Sequence, residues 1–276
     1  MIGLFKWKYA TAFLIAGILI LSYAYIETYW IKTKKLTIYS ENLPASFNGK
    51  KLVFISDVHL GPYISEKRVQ KVVKRINALQ PDIILLSGDY IDMKAKYIAP
   101  VFDALQILKA PMGKYGVLGN HEFIEDPQQV IRKFRESKIN LCHNNSFWIT
   151  EGRDSIKIGG VGDLWESDQK IENTINDVRD SDFCILLSHN PDYMEELKTN
   201  KIDLMLSGHT HGGQVTLFGL WAPLLPSDYG QKYRYGLRQV KHTQLYVTSG
   251  VGVVGVPFRF FCRPEIVEIT LKTTKD

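Results

Sequence analysis

A chain of 276 residues and 31.5 kDa, with 45% hydrophobic and 23% charged residues, has the make-up of an ordinary folded domain or two. That balance excludes a mainly disordered, fibrous or multi-spanning membrane protein. The net charge of +5 takes only +1 from the first 30 residues (Lys6, Lys8 and Glu27), and no basic run interleaved with aromatics predicts a nucleic-acid partner.

The mean hydropathy of −0.11 averages over an uneven chain. Tyr9 to Ile26 runs 18 positions without a charge, about 27 Å as a helix and close to the hydrocarbon thickness of a bilayer. Lys6 and Lys8 precede it, and Trp7, Tyr23, Tyr25, Tyr29 and Trp30 stand near its ends, where interfacial aromatics belong. A cleaved signal peptide is the alternative, with Ser22 and Ala24 as the small residues before a cut. The apolar run exceeds the usual signal core, which favours a retained anchor. Residues 1–30 therefore read as a membrane anchor and 31–276 as one domain, with the bilayer as a partner. Basic residues on the two sides (Lys6, Lys8 and the terminal amine against Lys32, Lys34 and Lys35) leave orientation tied. The odd, scattered cysteines Cys142, Cys184 and Cys262 tip it toward a reducing, cytoplasmic side.

Beyond the anchor, LTIYS reads as a strand and KLVFIS as a buried one. Glu66–Leu79 carries Val69, Val72, Val73, Ile76 and Leu79 at helical spacing, with Pro81 beyond its end. DIILLS is a strand, Ala99–Leu108 a helix, YGVLG a strand, and Pro127–Ser137 a helix capped by Asp126. From Asn140 the pattern turns to short strands (FWIT, SIKIGG), followed by DFCILLS, a helix opened by Pro191, DLMLS, QLYVTS and PEIVEITL. Strand–helix alternation with late hairpins predicts an α/β sandwich of mixed sheets.

Five of the apolar strands run into polar clusters. These are Asp57-Val58-His59, Gly88-Asp89, Gly119-Asn120-His121-Glu122, Ser188-His189 and Gly208-His209-Thr210-His211. Ligand groups in α/β sheets gather at the carboxyl ends of strands, so all five point at one crevice. Asp57, His59, Asp89, Asn120, His189, His209 and His211 supply hard oxygens and imidazoles with no thiolate, a set for Mn, Fe, Zn or Ni rather than Cys-type structural zinc. Seven such groups fit two ions sharing one carboxylate. The Asp-x-His and His-x-His spacings suggest projection from one strand face.

This order of D-x-H, G-D-x-x-D, G-N-H-E, H and G-H-x-H resembles the calcineurin-like metallophosphoesterase superfamily, over essentially everything after the anchor. GHTHGGQ (208–214) and PFRFFCRPEI (257–266) further resemble its membrane-associated bacterial branch, which includes the UDP-2,3-diacylglucosamine pyrophosphatases of lipid A synthesis. The resemblance implies a four-layer α-β-β-α sandwich of two mixed sheets and a pair of divalent ions, manganese first and iron or zinc as alternatives. One ion would be held by Asp57, His59, Asp89 and His211, the other by Asp89, Asn120, His189 and His209. His121 would lie beside the scissile phosphate, and Asp92 would support the loop. Paired ions neutralise phosphate oxygens and activate water for in-line attack.

The expected activity is hydrolysis of a phosphodiester or pyrophosphate by an enzyme held in the bacterial inner membrane. UDP-2,3-diacylglucosamine is the specific expectation, and a phospholipid, cell-wall or cyclic-nucleotide phosphodiesterase is the alternative; a non-catalytic tethered binding module is a further one. The apolar stretches 217–235 and 251–261 are candidates for a greasy groove or a bilayer contact. Arg234, Arg238, Arg259 and Arg263 are candidates for substrate phosphates, and Trp165 for stacking on a base.

Overall fold

The computed structural model describes residues 2–124 and 126–275, without the side chains of residues 2–6; the expected basic flank at Lys6 and the terminal amine lie outside the described groups. The first half of the chain holds α1 (Ile2–Tyr29), β1 (Lys32–Ser40), β2 (Lys51–Ile55), α2 (Glu66–Ala78), β3 (Ile83–Ser87), α3 (Ile98–Leu105), β4 (Lys114–Val117), α4 (Pro127–Glu136) and β5 (Asn140–Leu141). The second half adds β6 (Asn145–Glu151), β7 (Asp154–Gly160), the single turn α5 (Glu172–Ile175), β8 (Cys184–Leu187), α6 (Tyr193–Glu196), β9 (Leu204–Ser207), β10 (Gly236–Val240), β11 (Thr243–Val247) and β12 (Glu265–Thr273).

Two six-stranded sheets face each other, in the orders β1-β12-β2-β3-β4-β5 and β10-β11-β9-β8-β7-β6. Both are mixed. In the first, β12 is parallel to β1 and antiparallel to β2; in the second, β6 and β10 are antiparallel edges on a parallel centre. Phe54, Leu85, Val117, Ile158, Ile185, Leu206 and Tyr246 fill the space between the sheets. Val69, Val73 and Ile76 of α2 pack on the outer face of the first sheet with Phe102 of α3 and Phe134 of α4. Tyr193 and Met194 of α6 help cover the second. This is the expected four-layer sandwich of two mixed sheets flanked by helices.

Local chemistry accounts for the helices. In α2 the apolar positions recur every three to four residues, so one stripe is buried while the lysines face water. Asp126 caps α4 by accepting the Gln129 N–H at 2.8 Å, and Pro127 needs no donor in the first turn. Two features depart from the sequence reading. The strand PEIVEITL is not part of a late hairpin but crosses to the first sheet beside β1, and the hairpin partner of β11 is the segment GLRQV, whose burial carries no alternation to reveal it.

α1 is apolar all round and stands clear of the body over most of its length; Trp7–Tyr29 is long and apolar enough to cross a membrane. Its last two turns are docked. Tyr23 packs edge-on against Phe260, and the Ala24 carbonyl accepts the Arg259 N–H at 3.1 Å. The Glu27 carboxylate accepts the Phe261 N–H at 2.7 Å, and Arg68 of α2 donates to the Thr28 carbonyl. A guanidinium on a helix's final carbonyls satisfies both its orphan acceptors and its dipole.

Candidate metal centre

The carboxyl ends of β2, β3, β4, β8 and β9 open on one crevice, and the loops that follow carry the five polar clusters. Asp57, His59 and His211 form one group of close ligand atoms, and Asp89, His189 and His209 a second. Within the first group, His59 Nε2 faces His211 Nε2 at 3.0 Å, and His211 Nε2 lies 3.4 Å from Asp57 Oδ1. Within the second, His189 Nε2 lies 3.2 Å from both Asp89 Oδ2 and His209 Nδ1. Asp89 Oδ2 is also 3.4 Å from His59 Nε2, so one carboxylate oxygen faces both groups.

Several of these groups are buried with no hydrogen-bond partner: Asp57 Oδ2, His59 Nδ1, Asn120 Oδ1, His209 Nε2 and His211 Nδ1. Leaving such atoms unpaired costs about 1–3 kcal/mol each; cations in the crevice would relieve the Asp57 and Asn120 oxygens, while the three histidines turn their other ring nitrogens to the ligand groups. Burial holds His59 and His209 near pKa 3 and His211 well below the ordinary imidazole value, so all three offer lone pairs. Burial also opposes a charge on His189, but the Asp89 carboxylate outweighs it and raises that imidazole to about 10. The pull of that carboxylate favours positive charge at this point of the crevice. The donor set and its unpaired atoms fit divalent cations.

The loops reach this geometry through unusual backbone. Asp57, His59, Asp89, His209 and His211 all have positive φ, between 47° and 67°. The D-x-H and H-x-H spacings therefore work through left-handed kinks, and not through the strand alternation that the sequence suggested. Each such residue is strained, and strain of this kind collects at functional sites. Glycines make the crowding possible. A Cβ at Gly208 would collide with Ser56 Oγ and Asp57 Oδ2, and one at Gly119 with Asp89 Oδ1.

Contacts behind the rings and carboxylates fix their directions. His189 Nδ1 lies 2.6 Å from the Ser87 carbonyl, which turns Nε2 toward the crevice. Asp57 Oδ1 accepts the His209 N–H at 2.9 Å, and Asp89 Oδ1 accepts the His121 N–H at 3.1 Å. Glu122, unnoticed in the sequence except as part of G-N-H-E, is fully buried. It accepts the N–H groups of Asp89, Tyr90 and Gly119 at 2.8–2.9 Å, clamping the Asp89 loop to the Asn120 loop. Burial and the nearby Asp89 charge push its pKa up to about 8, against the pull of those donors.

His121 borders the crevice with Nε2 4.0 Å from Asp89 Oδ2, and its Nδ1 approaches the Asp92 carbonyl at 3.4 Å. Asp92 thus supports His121, while its carboxylate forms a third close group with His59 and His121. Trp165 stands half-exposed with its ring centroid 4.3 Å from that of His209. The arginines do other work. Arg259 is fully buried and donates to the Ser249, Gly252 and Cys262 carbonyls, Arg234 to those of Gly212 and Gly219, and Arg263 to that of Trp30; Arg238 is exposed on β10.

Residues 50–213, which hold every cluster of the crevice, match the family model described as calcineurin-like phosphoesterase. The chain belongs to that family. As a member of the calcineurin-like phosphoesterases it is a metal-dependent phosphoester hydrolase, and its clustered His and Asp side chains suit two divalent ions. It is 34% identical over 254 residues to an uncharacterized metallophosphoesterase of Bacillus subtilis, covering 91% of this chain and 88% of that one. A Danio rerio transmembrane protein with metallophosphoesterase domain is 31% identical over 84% of this chain and 55% of its own length. Among solved structures, a Haemophilus influenzae NAD nucleotidase shares the fold with a TM-score of 0.52 at 17% identity, over 74% of this chain and 45% of that one.

Proposed function

We propose that the protein is a membrane-anchored two-metal hydrolase of a lipid-linked phosphodiester or pyrophosphate. UDP-2,3-diacylglucosamine, cleaved to UMP and the acylated sugar 1-phosphate, is the first substrate to test. The observation that carries this reading is the paired buried Asp/His groups sharing Asp89, in a body whose N-terminal helix is apolar on every side. Asp57, His59, Asp89 and His211 would hold one ion, and Asp89, Asn120, His189 and His209 the other, with manganese the first choice and iron or zinc acceptable. When bound, such ions neutralise phosphate oxygens and supply an activated water.

The chain's own groups do the rest. Asp89 presents the same oxygen, Oδ2, to both ligand groups, because Oδ1 is engaged by the His121 N–H. His121, steadied through Nδ1 by the Asp92 loop, directs Nε2 into the crevice; protonated, it stabilises charge on the phosphoryl group or gives its proton to the departing oxygen. Trp165 beside His209 offers a face for a uracil ring. The anchor in a bacterial inner membrane, with the body on the cytoplasmic side, accords with three buried cysteines that form no disulfide.

The test is UMP release by the purified full-length protein with manganese and UDP-2,3-diacylglucosamine. Release is expected, with Asp89→Ala at least about 100-fold slower and depleted of metal. No UMP, together with turnover of a generic aryl phosphodiester, would reassign the substrate but keep the chemistry. Full activity in Asp89→Ala would sink the hydrolase reading of this crevice. Protease access to the body in sealed spheroplasts would place it outside and exclude a cytoplasmic nucleotide substrate.

A further inference from the structure

The segment from Val215 to Leu224 begins just after the His211 turn and leaves its large apolar side chains in the open. Phe218 is 70% exposed, Leu220 81% and Leu224 82%, with Leu217 and Trp221 also exposed. Scattered surface leucines need no explanation, but a contiguous run of this kind does.

Its position supplies one. The Phe218 ring packs 5.4 Å from Phe261, and Phe261 packs 5.7 Å from Tyr23 of α1. Tyr23 lies six residues before the helix end at Tyr29, so this contact sits about 9 Å along the axis from that end. A bilayer crossed by α1 would reach that level. Apolar faces enter the headgroup and upper acyl region to roughly 5–10 Å, so a segment at the level of Tyr23 would sit in that interface. Beneath the contact, a cleft of about 260 Å³ is lined by Lys32, Arg234 and Arg263 together with Tyr23 and Gly219. Lys32 is paired with Glu265, Arg234 and Arg263 with backbone carbonyls, and Glu27 lines the same cleft, so what it would offer lipid phosphates is a modest positive surplus.

The geometry points to Val215–Leu224 as a second membrane element, a wedge inserted in the bilayer interface beside α1. This rests on the reading of α1 as a membrane helix. It also bears on the substrate of the metal crevice. Arg234 ties the Gly212 carbonyl, next to His211, to the Gly219 carbonyl in the wedge, so the crevice's rim and the lipid surface are one structure. An acylated substrate would present its phosphate there with its chains still in the bilayer.

The experiment places an environment-sensitive nitrobenzoxadiazole label on full-length Leu220→Cys and Leu224→Cys proteins in phosphatidylcholine–phosphatidylglycerol vesicles. The native cysteines are buried, which directs the label to the new thiols. Arg153→Cys is the control, because it lies at the β6–β7 turn beside Asn42, beyond the far end of β1. Blue-shifted emission at 220 and 224, quenched by lipids with a spin label high on the acyl chain, and neither effect at 153, is the expected result. Water-like emission at 220 and 224 in a chain that resists carbonate extraction overturns the wedge alone; release by carbonate overturns the wedge and the anchor together. Turnover of a water-soluble aryl phosphodiester reads the hydrolase assignment separately.

Discussion

At the scale of single residues, the clustering of the candidate ligands was legible in the sequence because each followed an apolar strand, and strand ends converge. What could not be read was how the side chains are aimed. The left-handed backbone at Asp57, His59, Asp89, His209 and His211 depends on loops pressing on one another, and only a glycine such as Gly208 hints at that pressure. Glu122 was similarly hidden: Gly119, three residues before it, is a local donor, but its importance lies in also holding the Asp89 and Tyr90 N–H groups, 33 and 32 residues before it, which no local pattern links. Glu122→Gln keeps the shape but replaces an acceptor oxygen by an amide donor facing N–H groups. It should weaken metal binding about 10–100-fold without unfolding the chain. Titrating activity against manganese would check this, and excess metal should restore turnover.

At the scale of elements, the strands were legible from their apolar runs, and the helices α2 and α4 from spacing and caps. The crossing of β12 to the first sheet was not, since nothing local to PEIVEITL says which neighbour it will take. That crossing carries the 257–263 tail past the crevice, where Arg259 is buried with no carboxylate of the described residues in hydrogen-bonding contact. Its guanidinium instead gathers the Ser249, Gly252 and Cys262 carbonyls, and Gly252 N–H in turn donates to the Asp57 carbonyl at 2.7 Å. Arg259→Ala strips partners from three buried carbonyls. At about 1–3 kcal/mol for an unsatisfied group, a loss of order 3 kcal/mol or more is expected in denaturant unfolding, with loss of metal. A replacement that unfolds like the parent would show that this network adds little.

For the whole molecule, ions and fold are linked. The crevice joins loops from both sheets, and cations that bind only the folded state stabilise it by about 2.7 kcal/mol at a hundredfold excess over Kd. For a body of this size, chelation should then lower the melting temperature by about 5–10 °C, measured in detergent with and without a chelator. An unchanged melting temperature after verified metal removal would argue against ion sites that bridge the two sheets.

The docked end of α1 has a practical consequence. Tyr23, Ala24, Glu27 and Thr28 are, in packing terms, part of the body: they cover Phe260 and Phe261 and occupy the donors of Arg259, Phe261 and Arg68. A chain trimmed at Trp30 to make it water-soluble would uncover those aromatic rings and leave the buried Arg68 guanidinium with only the Val251 carbonyl of its two acceptors. Trimming before Leu21 keeps that seat filled, and is the better starting point for crystallisation or enzymology of the body.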